Sequence, residues 1–294
     1  MKLIKQSFEF INQTDFSLVG IKKHIERCAR VSYKSEDKIT DTSYEKFVNM
    51  LESRGHDRPL EFGTAHLKMI LPDFQGFIHS LLTLGILNNI WIKHDYVGDI
   101  VYITTNYRYY LDIIKHFPNV KEYFTEEDNE YYPKRYTIHM ILDRGVMDEF
   151  RTHVGLSHLA ESTRYVNYSK KKFGREVTFI QPCWEIKTAN ERITPDGTHM
   201  SSDSLEFLTA LNEAEDHYLS LLAKGWTPQQ ARSVLPLGIK SELISCGFED
   251  AWANFMRRRS PKYGDPGAHP MAAEIADKLC EEFLKRGFID EKKI

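Results

Sequence analysis

The most informative segment of this chain reads RTHVGLSHLAESTRY, from Arg151 to Tyr165, and continues as VNYSKKKFG to Gly174. It follows a predicted strand and contains two arginines, two histidines, two serines and a glutamate. Arginine forms bidentate hydrogen bonds with phosphates and stacks on flat rings. We expect a helix from about Val146 to Ala160, followed by a basic, aromatic turn. This composition predicts a site for a phosphorylated ligand that contains a ring.

Size and composition predict a single globular domain over residues 1–294. The chain is long enough to bury a full core, and no Pro/Gly-rich linker divides it. The net charge of −3 provides no global attraction to nucleic acid, so any bound anion must meet local arginine clusters. No apolar run approaches the roughly 20 residues of a membrane span, and the N-terminus lacks a signal peptide. Four scattered cysteines without metal-ligand spacing are typical of a cytoplasmic protein without disulfides or a metal site.

Hydrophobic periodicity predicts an α+β fold, in which a central sheet of short strands is packed with helical layers. The predicted helices are Leu18–Val31, Ser43–Arg54, Val146–Ala160, Ser204–Leu222, a segment that restarts at Thr227 and Pro228, and, after an interruption at Leu235–Gly238, two segments that end at Arg258 and Arg286. The predicted strands are a run with Ala65, Leu67, Met69 and Leu71 inward, then Val101–Asn106, Arg135–Leu142 and Val177–Ile180. Residues 119–133 are expected at the surface, and residues 187–203 are expected to form a loop or lid.

Three arginine-bearing segments are candidates for ligand binding: ESTRY (161–165), QARSVLP (230–236) and NFMRRRS (254–260). Arg232 stands among apolar residues just before a helix-breaking Leu-Pro. Such an arginine forms either an internal salt bridge or a clamp on a ligand. A run such as Arg257–Arg259 is usually a solvated helix face, and its spacing from Asn254 does not decide between that interpretation and a binding role.

Taken together, these segments resemble the flavin-dependent thymidylate synthase family, often called ThyX, over nearly the whole chain. The resemblance rests on the order and spacing of ARVSYKSEDKI (29–39), PLEFGT (59–64), DRGV (143–146), ESTRY (161–165), YSKKKFG (168–174) and ARSVLP (231–236). It implies a ThyX-like fold and the reductive methylation of dUMP to dTMP. Methylenetetrahydrofolate would give the carbon, and FAD reduced by NADPH would give the hydride. The family's active site lies between the subunits of a homotetramer, so the same assembly is implied for this chain.

The resemblance assigns nucleotide-binding roles to residues of this chain. Ser162, Arg164 and Tyr165 would hold dUMP, with Arg164 on its phosphate, and Arg232 would be a second clamp. Arg259 would face the uracil and stabilise the negative charge that builds on the ring as C5 attacks. Arg259 and Ser162 are therefore the implied catalytic residues. Glu149 would contact the edge of the pyrimidine.

On the flavin side the chain departs from the family pattern. The family signature Arg-His-Arg precedes the serine by about seven or eight residues. It falls on Thr152–Val154, where only the histidine is kept, or on Arg151–His153, where the first arginine is kept and a histidine replaces the last. The implied cofactor-binding residues are Arg151, His153, His158 and Asn254, with His66 as a further substitute. A histidine keeps a hydrogen-bond donor but is mostly neutral at pH 7. Phe62 and Ala160 also replace polar residues of the family pattern.

Because the nucleotide-binding residues match the family pattern while the flavin-side residues depart from it, three hypotheses remain open. The first is a thymidylate synthase with a variant flavin pocket. The second is a folate-dependent enzyme that hydroxymethylates dUMP, in which water rather than hydride completes the reaction. The third is a non-catalytic homologue that binds a nucleotide. A flavin absorbance band, or its absence in a protein that still binds dUMP, discriminates among them.

Overall fold

The computed structural model of the protein describes residues 1–83, 85, 89–164, 166–184 and 202–294, in which short strands and helices of different lengths follow one another. The strands of these residues are β1 Lys2–Ile4, β2 Ser7–Phe10, β3 Thr64–Ile70, β4 Ile90–Asp95, β5 Ile100–Asn106, β6 Phe124–Thr125, β7 Arg135–Asp143, β8 Ser157–Ala160, β9 Thr178–Ile180 and β10 Lys240–Phe248. The helices are α1 Leu18–Tyr33, α2 Ser43–Ser53, α3 Asp57–Leu60, α4 Leu71–Thr83, α5 Tyr107–His116, α6 Arg144–Arg151, α7 Ser202–Ala223, α8 Pro228–Ala231, α9 Glu249–Arg259 and α10 Pro270–Lys285. The predicted α+β architecture is confirmed.

The first four-stranded sheet has the order β2-β7-β10-β8, and its neighbouring strands are antiparallel. One face of β7 presents the predicted set Tyr136, Ile138, Met140 and Leu142, all buried against α9 and α10. Phe283 of α10 is fully buried in this layer, and such burial stabilises the fold by about 1.5–3 kcal/mol. The core therefore holds the two C-terminal helices against one side of the sheet.

The second sheet has the order β4-β5-β3-β6 and is built from the first part of the chain. Ala65, Leu67 and Met69 of β3 are buried among the side chains of α1, α2 and α5, as the alternation predicts. Leu71 is the exception, because it begins α4 rather than continuing the strand. Strands β1 and β9 form a separate parallel pair.

Contacts at one end of β7 and β10 join the two four-stranded sheets. Arg135 donates from Nη2 to the carbonyl of Glu61 at 2.7 Å and from Nη1 to the carbonyl of Gly63 at 3.0 Å. The rings of Trp91 and Phe248 are stacked with centroids 3.7 Å apart. The turn between α3 and β3 is thus fixed against the sheet that carries the signature segment.

The predicted helix over Val146–Ala160 is wrong in its second half. Asp143 caps α6 by accepting a hydrogen bond from the backbone N of Val146 at 2.8 Å, and the helix ends at Arg151. Gly155 follows with a φ of +97°, a conformation that continues neither a helix nor a strand. Residues 157–160 then pair with β10 as a strand. The signature segment is therefore helix, turn and strand rather than one long helix.

Strand β10, which lies in the middle of the first sheet, is a second departure from the sequence prediction of helical segments up to Arg258. All residues from Ser241 to Phe248 are buried, because β7 and β8 flank the strand and both of its faces are covered. A strand buried on both faces lacks the polar–apolar alternation that distinguishes a strand from a helix in sequence. In this strand Ser241, Glu242 and Ser245 interrupt the apolar residues without a period of two, so the sequence does not indicate a strand.

The remaining expectations have mixed outcomes. Helices α1, α2, α7 and α10 confirm the predicted helices, and Thr227 caps α8 through a reciprocal hydrogen bond with Gln230. The expectation that residues 119–133 lie at the surface is wrong for Val120 and Tyr132, which are buried. Residues 187–201 of the predicted loop or lid lie outside the described residues. Among the helices of the described part of the chain, none is long and apolar enough to cross a membrane.

Candidate functional site

A cavity of about 420 Å³ opens where α6, β8 and the loop after β8 meet the segment that follows α8. Its lining brings together residues far apart in the sequence: Ser32, Tyr33, Arg144, Arg151, His158, Leu159, Ala160, Glu161, Ser162, Thr163, Arg164 and Arg232. Four guanidinium groups are among them. The sequence-predicted residues Arg151, His158, Ser162, Arg164 and Arg232 therefore share one cavity, which we call the arginine cavity.

Arg232 is partly buried in the wall of the arginine cavity, and its hydrogen-bond partner is neutral. Its Nη1 donates to Thr163 Oγ1 at 2.8 Å. Within residues 1–83, 85, 89–164, 166–184 and 202–294 no carboxylate forms an ion pair with it. The described residues thus do not contain the internal salt bridge that was one of the two interpretations of Arg232. A partly buried guanidinium without a carboxylate partner can form charge-assisted hydrogen bonds with an incoming anion.

The loop after β8 is fixed from two sides. The backbone N of Glu161 donates to the carbonyl of Glu242 at 2.8 Å, and the backbone N of Ser162 donates to the carbonyl of Ser32 at 3.1 Å. These bonds place the side chains of Ser162 and Arg164 on the arginine cavity. Tyr165, which the sequence assigned to the same group, lies outside the described residues.

Helix α6 contributes two more arginines to the cavity. Arg144 and Arg151 are seven residues apart and therefore lie on the same helix face. Asp148 lies between them, accepting from Arg144 Nε at 3.2 Å and pairing with Arg151 Nη2 at 3.3 Å. One carboxylate thus serves two guanidinium groups, so the helix adds positive charge to the cavity. Arg144 was not predicted as a site residue, and its i, i+7 relation to Arg151 becomes apparent only once α6 is known to begin at Arg144.

A second cavity, of about 440 Å³, adjoins the first. The two share Arg144, Thr163 and Arg232, and the second is completed by Gln229, Ser233, Leu235, Pro236, Leu237 and Ile239. The shared arginines stand at the boundary between them. An anion bound at this boundary would be accessible from both cavities.

Two histidines of the signature segment are neutral structural residues near neutral pH. Burial lowers the pKa of His158 to about 4, and its ring nitrogens contact Ser245 Oγ at 2.8 Å and the His153 carbonyl at 3.2 Å. The neutral ring donates from Nε2 to the carbonyl and accepts at Nδ1 from the Ser245 hydroxyl. His153 is itself buried, with its ring edge-on to Phe255, and burial lowers its pKa as well. Neither imidazole supplies the positive charge of a missing arginine.

His66, the other histidine considered as a substitute on the flavin side, is placed elsewhere. Its ring is stacked between Phe16 and Tyr132, with centroid distances of 4.3 and 4.1 Å. Nδ1 contacts the carbonyl of Glu127 at 2.8 Å, and burial lowers the pKa of the imidazole to about 4. These contacts explain His66 as a structural residue of the second sheet.

Arg259 and Glu149, the residues assigned to the pyrimidine, are bonded to each other. Arg259 donates from Nη1 to Glu149 Oε2 at 3.0 Å and from Nη2 to the Glu149 carbonyl at 3.1 Å. Glu149 lines a separate apolar cavity of about 360 Å³ that also includes Trp184 and Met271. Asn254 lies one turn before Arg258 on α9 and accepts from its Nε at 3.3 Å. The chain therefore brings Glu149 and Arg259 together, but on a different face of α6 from Arg144 and Arg151.

The arrangement has the chemistry of an anion site rather than a metal site. Several guanidinium groups together with a serine and a threonine suit a phosphate monoester. No group of three potential ligands among histidine, cysteine, aspartate and glutamate is placed to hold a metal ion in the part of the chain that the structure describes. The lining residues that sequence reasoning had not assigned to the site are Ser32, Tyr33, Arg144, Leu159, Ala160, Glu161 and Thr163.

The model of the family described as "thymidylate synthase complementing protein" matches residues 134–286. One similar solved structure is a UMP/dUMP methylase PolB from Streptomyces cacaoi bound with 5-Br dUMP, with a TM-score of 0.43, 15% identity, and coverage of 100% of this chain and 95% of that chain. The same protein bound with 5-Br UMP gives a TM-score of 0.44, 14% identity, and coverage of 100% and 94%. No curated protein sequence matches the chain.

Proposed function

The chain belongs to the thymidylate synthase complementing protein family, and from this premise we propose that it is a flavin-dependent thymidylate synthase. It converts dUMP to dTMP, with methylenetetrahydrofolate as the carbon donor and with FAD, reduced by NADPH, as the source of hydride. The observation that carries the proposal is the convergence of Ser162, Arg164 and Arg232 on one cavity. The family match and this cavity together support dUMP as the ligand.

The phosphate of dUMP binds between Arg164 and Arg232 in this proposal. Arg232 has a neutral hydroxyl as its partner and lies at the boundary of two cavities, so a phosphate can take its remaining donors. Arg144 adds a third guanidinium beside the same boundary. Bidentate contacts from several arginines hold the nucleotide in one orientation, which the reaction at C5 requires.

The pyrimidine would be met by Arg259 and Glu149 from a second copy of the chain. Within one chain this pair lies on another face of α6, with Arg259 bonded to Glu149 at 3.0 Å. A guanidinium fixed by a carboxylate beside the uracil carbonyls stabilises the negative charge that develops as C5 attacks. Ser162 orients the nucleotide on the opposite side. We therefore propose a homo-oligomer, a tetramer, whose sites are completed across subunits.

The residues assigned to FAD fit that group only in part. When bound, the flavin supplies the hydride that completes the methyl group. Arg151, about half exposed at 52%, presents a cation beside the arginine cavity. His153 and His158 are buried and neutral, and Asn254 is bonded to Arg258. Among the described residues of one chain, Arg151 alone of those assigned to FAD is thus placed to contact it.

This incomplete fit favours a second candidate, the hydroxymethylation of dUMP by a folate-dependent enzyme. In that reaction the carbon is also transferred to C5, but water rather than hydride completes it. The nucleotide site is the same in both candidates, so Arg164 and Arg232 retain their roles. The two differ in whether a reductant is consumed and in the group that the product carries on C5.

One experiment decides between the candidates. The purified protein is examined for a flavin absorbance band, then incubated with dUMP and methylenetetrahydrofolate, with and without FAD and NADPH, and the products are identified by mass. Reductant-dependent dTMP supports the first candidate, and 5-hydroxymethyl-dUMP formed without reductant supports the second. A protein that binds dUMP and releases neither product under any of these conditions would refute both and would be a non-catalytic homologue.

A further inference from the structure

A network of charged side chains lies beneath the loop that carries Ser162 and Arg164, which we call the nucleotide loop. Glu161, which begins this loop, has only 1% of its side chain exposed. Its Oε2 accepts from Lys240 Nζ at 3.0 Å, and the same ammonium group contacts Glu242 Oε1. Lys240 and Glu242 are two residues apart on β10 and therefore point to the same face of the sheet. The carboxylate of the nucleotide loop is thus tied to the central strand.

The network continues across the sheet to an imidazole. His139 of β7 contacts Glu242 Oε2 through Nε2 at 2.8 Å and Glu9 Oε1 of β2 through Nδ1 at 3.0 Å. Lys34, which caps the C-terminal end of α1, also contacts Glu242 Oε1 and reaches Glu36 at 3.5 Å. The charged groups that face His139 and its partners thus come from β2, β7, β10, the end of α1 and the nucleotide loop.

His139 lies between two carboxylates, those of Glu242 and Glu9. Glu242 is buried and is also contacted by Lys34 and Lys240, whereas Glu9 is exposed. A protonated imidazole donates from both nitrogens, which matches a carboxylate on each side. Burial opposes protonation, but the hydrogen bonds to Glu242 and Glu9 outweigh it and raise the pKa of His139 above its ordinary value.

Protonation of His139 determines how Lys240 divides its charge. When the imidazole is charged, it joins Lys34 as a second cation on Glu242, and Lys240 is more available to Glu161. When the imidazole is neutral, Glu242 draws Lys240 more strongly, and the buried carboxylate of Glu161 loses part of its stabilisation. Glu161 is adjacent to Ser162 and three residues from Arg164, so this change acts directly on the loop that holds the ligand.

We propose that His139, Glu242, Lys240 and Glu161 form a positioning network that makes the affinity for dUMP depend on one proton held far from the ligand. The inference rests on the proposed function, because it assigns the loop at Ser162–Arg164 to dUMP. None of the four is a catalytic residue. They act by positioning the loop, so their effect is measured as a pH dependence of the affinity for dUMP and not as a contact with the nucleotide.

The direction of the effect follows from the raised pKa. At and below the pH range in which an ordinary histidine titrates, His139 is protonated and the network holds the loop fully in place. The affinity for dUMP then falls as the pH rises through the higher pKa that His139 has in the folded protein. The phosphate of dUMP is itself fully ionised above about pH 7, since its second pKa is near 6. Its own titration therefore does not mask a decrease that occurs between pH 7 and 9.

The test is calorimetric titration of the full-length protein with dUMP between pH 7 and 9, for the wild type and for His139→Gln. We expect the affinity of the wild type to fall about fivefold over this range, the size of an ordinary coupling between sites. The glutamine side chain of the variant cannot take up a proton, so the variant should show weaker binding at pH 7 and no further decrease. His116→Gln, at an exposed histidine of α5, is the matched control and should keep the wild-type profile.

A second pair of variants separates positioning from folding. Lys240→Met leaves Glu161 buried without its cation and is expected to weaken dUMP binding or to destabilise the protein, whereas Lys240→Arg retains the charge and should restore most of the affinity. If the affinity of His139→Gln falls with pH as that of the wild type does, the network has no such role, while the dUMP site stands. If the folded wild type does not bind dUMP at any pH, the proposed function and this inference both fail.

Discussion

At the residue scale, Arg164 and Arg232 are the proposed clamps for a phosphorylated ligand. Two separate sequence motifs predicted them as clamps, and the fold places both on the arginine cavity. Arg144 could not be predicted in the same way, because Asp143–Gly145 has the pattern of a turn, whereas Asp143 in fact caps α6 and turns Arg144 toward the cavity. The sequence therefore predicts an arginine that belongs to a specific motif, but it does not predict one that reaches the cavity because a helix begins there.

Removing either clamp should weaken dUMP binding. In Arg232→Ala or Arg164→Ala, we expect a loss of about 1.5–3 kcal/mol, roughly 10- to 150-fold in Kd, the size of a hydrogen bond to a charged group. Calorimetric titration with dUMP measures it. Arg54→Ala, at an exposed arginine after α2, is the control and should bind as the wild type does. Unchanged affinity in both clamp variants would contradict the assignment of the cavity.

Arg144→Ala should have a smaller effect. Its guanidinium is already paired with Asp148 at 3.2 Å, so part of its charge is compensated before any ligand binds. We expect dUMP affinity to fall by roughly 0.5–1.5 kcal/mol, near the value for one ordinary hydrogen bond. The same titration measures the loss, and an effect as large as that of Arg232→Ala would show that Arg144 is a primary clamp.

The buried histidines predict a loss of stability in acid. Burial lowers the pKa of His158 to about 4, so the unfolded chain binds its proton first as the pH falls. The stabilising effect of the neutral ring is present above about pH 6.5 and is lost between there and about pH 4, a change of about 2 kcal/mol after allowance for partial relaxation. Urea unfolding of wild type and His158→Gln at pH 7 and pH 4.5 tests this. The variant should lose less stability than the wild type on acidification, and an equal loss would assign the effect to other groups.

At the element scale, the signature segment is informative because it changes conformation twice in a few residues. Its polar content predicted a functional site, but its periodicity did not predict that helix α6 would stop at Arg151 and that β8 would begin at Ser157. The strand pairs with β10, which the sequence also left unidentified because it is buried on both faces. Each of these two strands is stabilised by the other, and neither is specified by its own pattern.

Gly155 should be essential to this change of conformation. Its φ is +97°, and a Cβ at this position would lie 3.2 Å from Ala251 Cβ. Gly155→Ala is expected to destabilise the protein by about 1–3 kcal/mol, because the strained backbone and the close contact add together. Gly76→Ala in α4 is the matched control, since no atom lies within 4 Å of the added methyl group. It should be neutral or slightly stabilising in urea unfolding. Equal stability of the two variants would mean that the turn adapts to a side chain.

At the scale of the whole molecule, the sequence predicted the α+β class and the family correctly, and the family resemblance also implied sites that lie between subunits. Motifs in sequence order carry no information about which chain completes which site. The fold shows that Arg232 and Arg259 lie on different sides of α6, with Arg259 held by Glu149. That separation is the reason for proposing an assembly, and we also propose that residues 1–294 form one domain.

Subunit complementation should reveal the assembly. Arg232→Ala and Arg259→Ala are each expected to abolish most activity as pure proteins. If the site takes Arg232 from one chain and Arg259 from another, reassembly of an equal mixture restores both arginines at about a quarter of the sites. dTMP formation after joint refolding measures this recovery. Mixtures of either variant with itself are the controls, and no recovery in the heterologous mixture would place both arginines in one chain.

The hydrogen bond from the backbone N of Ser162 to the carbonyl of Ser32 has a practical consequence for protein engineering. Ser32 and Tyr33, which line the arginine cavity, lie outside residues 134–286, the part of the chain that matches the family model. A truncated gene product limited to those residues would keep its clamps and lose the surface on which they rest. If the missing stretch were supplied as a separate polypeptide, nucleotide binding would be restored only when the two polypeptides associate. Binding would therefore report their association.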